Sequence, residues 1–318
     1  MSDLWVLVRS GGVLPALIVA AGDGTGRRFL EFFTANTRNP NTRAAYARAI
    51  GDFCAWLDER GVTLERVEPM IVAAYVEHLG RSRSAATVKQ ALAAIRMLSD
   101  WMVVGRGLPI HPASPVRGPK RVVTRGKTPV LTADQARQLI DSIDTSDLIG
   151  LRDRALIGVM VYSLARVSAA IGMRVDDYFP SGKRWWFRRH EKGGRRHELP
   201  AHHNAEAQLD AYLEAAAIAD EKKGLLFRTL CRDRALTRNA MHRTDALRMI
   251  YRRAKAAGLD VYACCHTFRA TGITAYLENV GTIEKAQQIA AHESPRTTKL
   301  YDRTNDELTL YEIERIVV

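Results

Sequence analysis

One basic, proline-rich segment, residues 109–129, divides the chain into two parts that must fold separately. Prolines recur within it at positions 109, 112, 115, 119 and 129, and glycines stand at 118 and 126. Neither a helix nor a central strand tolerates this spacing, because proline lacks an amide hydrogen and restricts the residue before it. The segment predicts an extended linker between one domain at 25–108 and another at 130–305, after a short N-terminal segment at 1–24.

Residues 25–108 carry helical periodicity. Apolar residues recur three and four positions apart at 46–57 and again at 88–102. Thr42 and Ser84 precede these stripes as candidate N-caps, and Pro69 suits the first turn of another helix. The pattern predicts an all-helical bundle whose aromatic stripe is core. Helices are expected near residues 27–33, 42–61, 69–79 and 84–105.

The second domain combines helices with a hairpin. Two strand-like runs, residues 183–190 and 195–199, flank the sequence Glu-Lys-Gly-Gly at 191–194. The glycine pair supplies the positive φ that a tight hairpin turn requires. The expected fold class is mainly α with two domains, an N-terminal helical bundle and a C-terminal α+β domain with one small antiparallel sheet. Further helices are expected near residues 132–143, 151–162, 204–217, 239–257, 267–278, 282–291, 295–302 and 306–316.

The chain is strongly basic, with 47 lysines and arginines against 35 acidic residues and a formal net charge of +12. Such an excess is typical of proteins that bind nucleic acid, although acidic membranes attract it too. The linker contains no acidic residue, so we expect it to lie along a phosphate backbone; a solvated linker is the alternative. The residues expected to contact double-stranded DNA are Arg117, Lys120, Arg121, Arg125 and Lys127 of the linker and Lys89 and Arg43 of the bundle.

Several classes of protein lack support in this sequence. The cysteines at 54, 231, 264 and 265 fit no metal-binding or disulfide spacing, and the motifs of nucleotide-binding loops and zinc hydrolases do not occur. We therefore expect no cofactor and no metal site. The longest apolar run is shorter than the roughly 20 residues of a membrane span. A cytoplasmic, nucleoid-associated location is expected.

Six side chains of the second domain match the needs of phosphodiester exchange without a metal. Such a reaction needs fixed cations for the non-bridging oxygens, a nucleophile that forms a covalent intermediate, and a proton donor for the leaving oxygen. A tyrosine hydroxyl can be the nucleophile, with arginine, histidine and lysine around it. The candidates are Arg166, Lys192, His266, Arg269, His292 and Tyr301.

The motifs around these candidates resemble those of the tyrosine recombinases, the phage integrase family. HTFRAT at 266–271 resembles the HxLR box, and AHESPRTTKLY at 291–301 resembles the GHxxxxTTxxY box. LARVS at 164–168 is similar to the box of the first arginine, and EKGG at 191–194 to the hairpin that carries the family's lysine. The motifs follow the family's order, and the resemblance extends from about residue 25 to the end.

The resemblance implies a reaction cycle and an assembly. Tyr301 attacks the scissile phosphate to give a 3′-phosphotyrosyl enzyme, and Lys192 protonates the leaving 5′-oxygen. The two arginines and two histidines hold the non-bridging oxygens. The 5′-hydroxyl of a partner duplex then attacks the phosphotyrosine. The family works as a homotetramer on inverted-repeat sites, through a Holliday junction and without ATP or a divalent ion.

Two positions depart from the family's pattern. The usual acidic residue three positions after the first arginine is Ala169, and the usual glycine before the second histidine is Ala291. The second change is minor if that position is helical. Two alternative functions stay open, a nicking and closing enzyme like the type IB topoisomerases and a DNA-binding protein without catalysis.

The C-terminal segment, residues 306–318, reads as a short apolar helix directly after Tyr301. Such a helix needs a packing surface to persist in water. It packs either on its own domain or, as the resemblance implies, on the next protomer.

Overall fold

The computed structural model describes residues 15–105, 108–120, 126–191, 194–302 and 314. The chain separates into two compact units, residues 1–122 and 123–318. Helices dominate both units in the described residues, and the strands belong to the second. The predicted fold class, mainly helical with two domains, is confirmed.

The first unit is a helical bundle. Its core contains Phe32, Ile50, Leu57 and Ile95, each almost fully buried. Its elements are α1 (Ala16–Ala20), α2 (Asp23–Ala35), α3 (Pro40–Asp58), α4 (Pro69–Gly80) and α5 (Ala85–Val104), with a 3-10 turn at Leu64–Arg66.

The N-cap of α3 differs from the prediction. Asn39, rather than Thr42, caps this helix, because its side chain accepts hydrogen bonds from the amides of Asn41 and Thr42. Pro40 then occupies the first turn, where no amide hydrogen is needed. The prediction for α5 is confirmed, since the Ser84 hydroxyl accepts from the amide of Thr87.

Residues 108–120 pack against the first unit. Leu108, Ala113 and Val116 are buried in its core cluster. The Arg96 guanidinium on α5 donates to the carbonyls of Ala113 and Val116. The division between the units lies inside the predicted linker, but this first part of it is held to the bundle rather than extended.

The second unit surrounds an apolar core with helices. Its first helix is capped by Thr132, as predicted, and Thr132 forms a capping box with Gln135. The central helix, α7, contributes Leu156 and Met160 to the core, which Phe187 and Phe268 join. The helices are α6 (Ala133–Asp141), α7 (Leu148–Tyr162), α8 (Val167–Ile171), α9 (His203–Ala216), α10 (Arg243–Ala256), α11 (Cys265–Glu278), α12 (Ile283–Ala290) and α13 (Pro295–Lys299).

The described residues form two antiparallel sheets, where one was predicted. The three-stranded sheet runs β1 (Tyr178–Ser181), β2 (Arg184–His190), β3 (Arg196–Pro200) in that order. Its β2–β3 hairpin was predicted, and β1 was not. The second sheet pairs β4 (Arg228–Leu230) with β5 (Leu236–Ala240). These strands are short and carry no clear alternation, and β5 takes residues that the sequence assigned to the start of α10.

No helix in the described ranges combines the length and the apolar character needed to cross a membrane.

Candidate active site

Helix ends and short connections position five of the six predicted catalytic side chains in the second unit. Arg166 is the N-cap of α8, and His266 and Arg269 lie on the first turns of α11. His292 follows the C-cap of α12, and Tyr301 comes just after α13. Residues more than a hundred positions apart therefore meet at one place.

Arg269 is the buried centre of this site, with 1% of its surface exposed. Its guanidinium donates to the carbonyls of Leu164 and Ala290 through its two terminal nitrogens. Its Nε donates to Nε2 of His292 at 3.2 Å. An arginine carries five N–H donors, so two remain for a further acceptor. Burial, with the charge of Arg166, lowers the pKa of Arg269 to about 10, and the side chain stays charged at neutral pH.

His292 is neutral in this arrangement. Because its Nε2 accepts from Arg269, its proton lies on Nδ1, which donates to Oγ1 of Thr298 at 2.9 Å. Burial first, then the charges of Arg269 and Arg166, lower the pKa of His292 to about 3. Its ring stacks on that of Tyr301, with centroids 5.6 Å apart and planes 9° from parallel.

The connection before His292 has an unexpected backbone. Ala291 adopts φ of +49°, in the left-handed region. The replacement of glycine by Ala291 was expected to be minor if this position were helical, and it is not helical. A left-handed alanine costs about 1 kcal/mol, and glycine avoids this cost.

Two hydrogen bonds to the main chain of Tyr301 hold this residue in place. Its amide donates to the carbonyl of Thr298 at 2.9 Å, and its carbonyl accepts from Oγ1 of Thr274 at 2.7 Å. The ring is half-buried. Two other tyrosines of this part of the chain are alternative candidates for the nucleophile. Tyr276 packs in the same apolar cluster, and Tyr311 lies outside the described residues.

His266 is the exposed histidine of the pair. The part of its ring that is covered by protein, then the charges of Arg269 and Arg166, lower the pKa of His266 from its ordinary value. A lowered pKa favours the neutral imidazole, which can accept a proton.

Arg166 forms a short ion pair that the sequence did not predict. Its Nη1 lies 2.6 Å from Oε2 of Glu191, the residue directly after β2. The Arg166 side chain keeps 30% of its surface exposed, whereas that of Glu191 keeps 3%. A signal for this partner existed in the sequence, since Ala169 leaves the first arginine without its usual acidic neighbour.

Lys192 lies outside the described residues, and its predicted role is not placed by the structure. The chain on either side forms the predicted hairpin. Glu191 donates its amide to the carbonyl of Arg195 at 2.8 Å, and Gly194 takes φ of +77°.

The predicted DNA-binding residues lie mostly on the surface. Lys89, Arg117, Lys120 and Lys127 are exposed. Arg43 is half-buried, and its Nε donates to the carbonyl of Thr37 at 3.0 Å, so it also holds the connection between α2 and α3. Arg121 and Arg125 lie outside the described residues. In the part of the chain that the structure describes, no three His, Cys, Asp or Glu residues form a group that could hold a metal ion.

Acidification is expected to reduce the free energy of unfolding through His292. The pKa of this residue falls from 6.5 to about 3 on folding, so the unfolded chain binds the proton first. The free energy of unfolding therefore carries no penalty from His292 above pH 6.5. As the pH falls from 6.5 toward 3, it decreases by roughly 1 kcal/mol per pH unit. Urea unfolding at several pH values should show a shallower loss for His292→Gln, which keeps an acceptor for Arg269. If the free energy of unfolding depended on pH with the same slope in the wild type and in His292→Gln, this prediction would be contradicted.

Two family models match the chain. The model of the phage integrase family matches residues 129–307, and that of the phage integrase N-terminal SAM-like domain matches residues 27–104. Tyrosine recombinase XerD of Corynebacterium glutamicum is 29% identical over 273 residues, which is 82% of this chain and 86% of that protein. Tyrosine recombinase XerC of Escherichia coli is 25% identical over 278 residues, 86% of this chain and 89% of that protein.

Solved structures share the fold. XerH site-specific recombinase bound to palindromic difH substrate superposes with a TM-score of 0.69 at 16% identity, covering 94% of this chain and 89% of that one. A lambda integrase tetramer bound to a Holliday junction gives a TM-score of 0.66 at 17% identity, covering 96% and 87%. These neighbours are recombinases in complex with DNA.

Proposed function

This chain belongs to the phage integrase family, and from that premise we propose that it is a site-specific DNA recombinase that cuts and rejoins DNA through a 3′-phosphotyrosyl intermediate. In this proposal residues 25–108 form the core-binding domain and 130–305 the catalytic domain, joined by the linker at 109–129. In the same proposal residues 306–318, which lie outside the described residues except for residue 314, form the predicted helix and dock on the next protomer.

One observation carries the proposal, the continuous contact from Arg269 through His292 to Tyr301. A buried guanidinium donates to the imidazole, and the imidazole stacks on the phenol ring. A cation one imidazole ring away from the phenol suits attack on a phosphate, because it can stabilise the negative charge of the transition state.

The proposed first step transfers the phosphate from DNA to the enzyme. Tyr301 Oη forms a bond to phosphorus while the bond to the 5′-oxygen breaks, and Lys192 gives that oxygen its proton. Since Nε2 of His292 is already an acceptor for Arg269, we assign deprotonation of Tyr301 to the exposed, neutral His266. Attack by the 5′-hydroxyl of the partner duplex reverses the chemistry and completes the exchange.

Two guanidiniums hold the phosphate in this proposal. Arg166 has one terminal nitrogen on Glu191 and keeps its other donors for the non-bridging oxygens. Arg269 contributes its two remaining N–H groups. The protein acts as a homotetramer on two duplexes with inverted-repeat sites, through a Holliday junction, in the cytoplasm and at the nucleoid.

The decisive experiment traps the covalent intermediate. A binding site is first selected by gel shift from duplexes with random arms, and a nick is then placed beside the scissile phosphate so that the released end diffuses away. An adduct that survives SDS, joined through the phosphate to the 3′ end of the broken strand, supports the proposal. Recombination between two such sites, without relaxation of plasmids lacking them, separates a recombinase from a topoisomerase-like enzyme. Binding without any adduct means a DNA-binding protein without catalysis.

Neutralising the basic residues at the linker should weaken binding equally on all DNA sequences. Arg117, Lys120 and Lys127 are exposed, and phosphate contacts carry no base specificity. Changing all three to glutamine should reduce the slope of log K against log salt by roughly 0.9 for each lost contact. Gel shifts over a salt series measure it, with Lys183→Gln, Lys222→Gln and Lys223→Gln as a control of equal charge change. A slope that stays at the wild-type value means a solvated linker.

A further inference from the structure

Glu191 is a buried carboxylate shared by two arginines. Its Oε2 lies 2.6 Å from Nη1 of Arg166, and its Oε1 lies 3.4 Å from Nη1 of Arg189. Arg189 is fully buried, and its Nη2 donates to the carbonyl of Ile289 at 2.8 Å. A buried carboxylate is costly unless it is paired, and here a cation stands at each oxygen.

This arrangement connects three parts of the candidate site. Glu191 directly follows β2 and precedes Lys192 in the sequence. Arg189 reaches the last turn of α12, which leads to His292, and Arg269 bonds the next carbonyl of the same turn. The ion pair of Glu191 with Arg189 therefore fixes three parts relative to one another. These are the β2–β3 hairpin, the guanidinium of Arg166 and the turn before His292.

Residue 169 cannot supply a carboxylate to Arg166, because it is a buried alanine. In the part of the chain that the structure describes, Glu191 is the acidic partner of Arg166. Without such a partner, a long side chain with 30% of its surface exposed would sample many rotamers. Its guanidinium would then have to be ordered during the reaction.

We propose that Glu191 is a positioning residue for DNA cleavage: it aims the guanidinium of Arg166 at the scissile phosphate and is itself held by Arg189. The inference rests on the proposed function. It predicts that removing the charge of Glu191 lowers the cleavage rate, the opposite of what electrostatic repulsion alone would give. Removing a negative charge near a phosphate should speed cleavage if only electrostatics mattered, whereas loss of orientation slows it.

The test measures single-turnover cleavage of the nicked substrate by Glu191→Gln. We expect a rate between about tenfold and a hundredfold lower, with DNA affinity unchanged or slightly higher, because small displacements of a positioned group are costly. Glu198→Gln is the matched control, since Glu198 also pairs with an arginine on β2, at 2.7 Å, but near the surface. That variant should cleave at the wild-type rate.

A double-mutant cycle shows whether Glu191 acts through Arg166. In an Arg166→Ala background, Glu191→Gln should change the rate less than about twofold, because its effect requires the guanidinium. An equal loss in both backgrounds, or a Glu191→Gln enzyme as fast as wild type, overturns the inference.

A second variant separates positioning from folding. Glu191→Gln leaves Arg189 buried without its counter-charge, so the fold itself can suffer. The double change Arg189→Met with Glu191→Leu removes both charges of the buried pair, and it also removes the hydrogen bond to the carbonyl of Ile289. It should melt somewhat below the wild type but stay folded at the assay temperature, and still cleave slowly. A folded double variant with wild-type cleavage overturns the inference. A wild-type protein that forms no adduct refutes the proposed function instead.

Discussion

Replacing Tyr301 by phenylalanine is expected to abolish covalent attachment to DNA while affinity stays near that of the wild type. Phenylalanine keeps the ring that stacks on His292 and the backbone hydrogen bonds, so only the attacking oxygen is lost. The yield of adduct on the nicked substrate should fall by at least about a thousandfold. Gel shifts measure affinity, and SDS gels measure the adduct.

Tyr276→Phe is the matched control for this change. Tyr276 lies 25 positions before Tyr301 in the same apolar cluster, and it should be dispensable for attachment. Peptide mass mapping of the wild-type adduct then identifies the modified residue directly. An adduct on Tyr276 or Tyr311 would exclude Tyr301 as the nucleophile.

Arg166→Lys should reduce the cleavage rate by about a hundredfold, or about 3 kcal/mol of transition-state stabilisation. Lysine keeps the charge, but its single ammonium cannot both bind Glu191 and contact two phosphate oxygens as a planar guanidinium can. DNA affinity should change little, because the lost contact strengthens in the transition state.

Arg269→Lys is the companion change, and it differs in one respect. The buried guanidinium also donates to the carbonyls of Leu164 and Ala290, so its loss should lower the melting temperature as well as the cleavage rate. Arg188→Lys, at the ion pair with Glu198 on the same sheet, is the control for a lysine exchange. Equal losses of affinity and cleavage would mean that these arginines only position the DNA.

Patterns local in the chain allowed much of the fold to be predicted. The stripe at 88–102 and its cap at Ser84 identified α5, and the Gly-Gly pair identified the β2–β3 hairpin. The same logic missed β4 and β5, because these strands are short and their residues, such as Arg238 and Asn239, are polar and exposed. Strands of this kind depend on pairing rather than on their own sequence.

The sequence by itself determined the order and spacing of the motifs, the helical character of both units and the nature of the chemistry. These follow from hydrophobic period, capping and side-chain type, which act over a few residues. Only the tertiary structure decided what the described candidates touch. It placed Glu191 against Arg166 where residue 169 has no carboxylate, buried Arg269 against Leu164, and put Ala291 in the left-handed region. Such contacts join residues far apart in the chain, and their strength depends on burial, which local sequence does not encode.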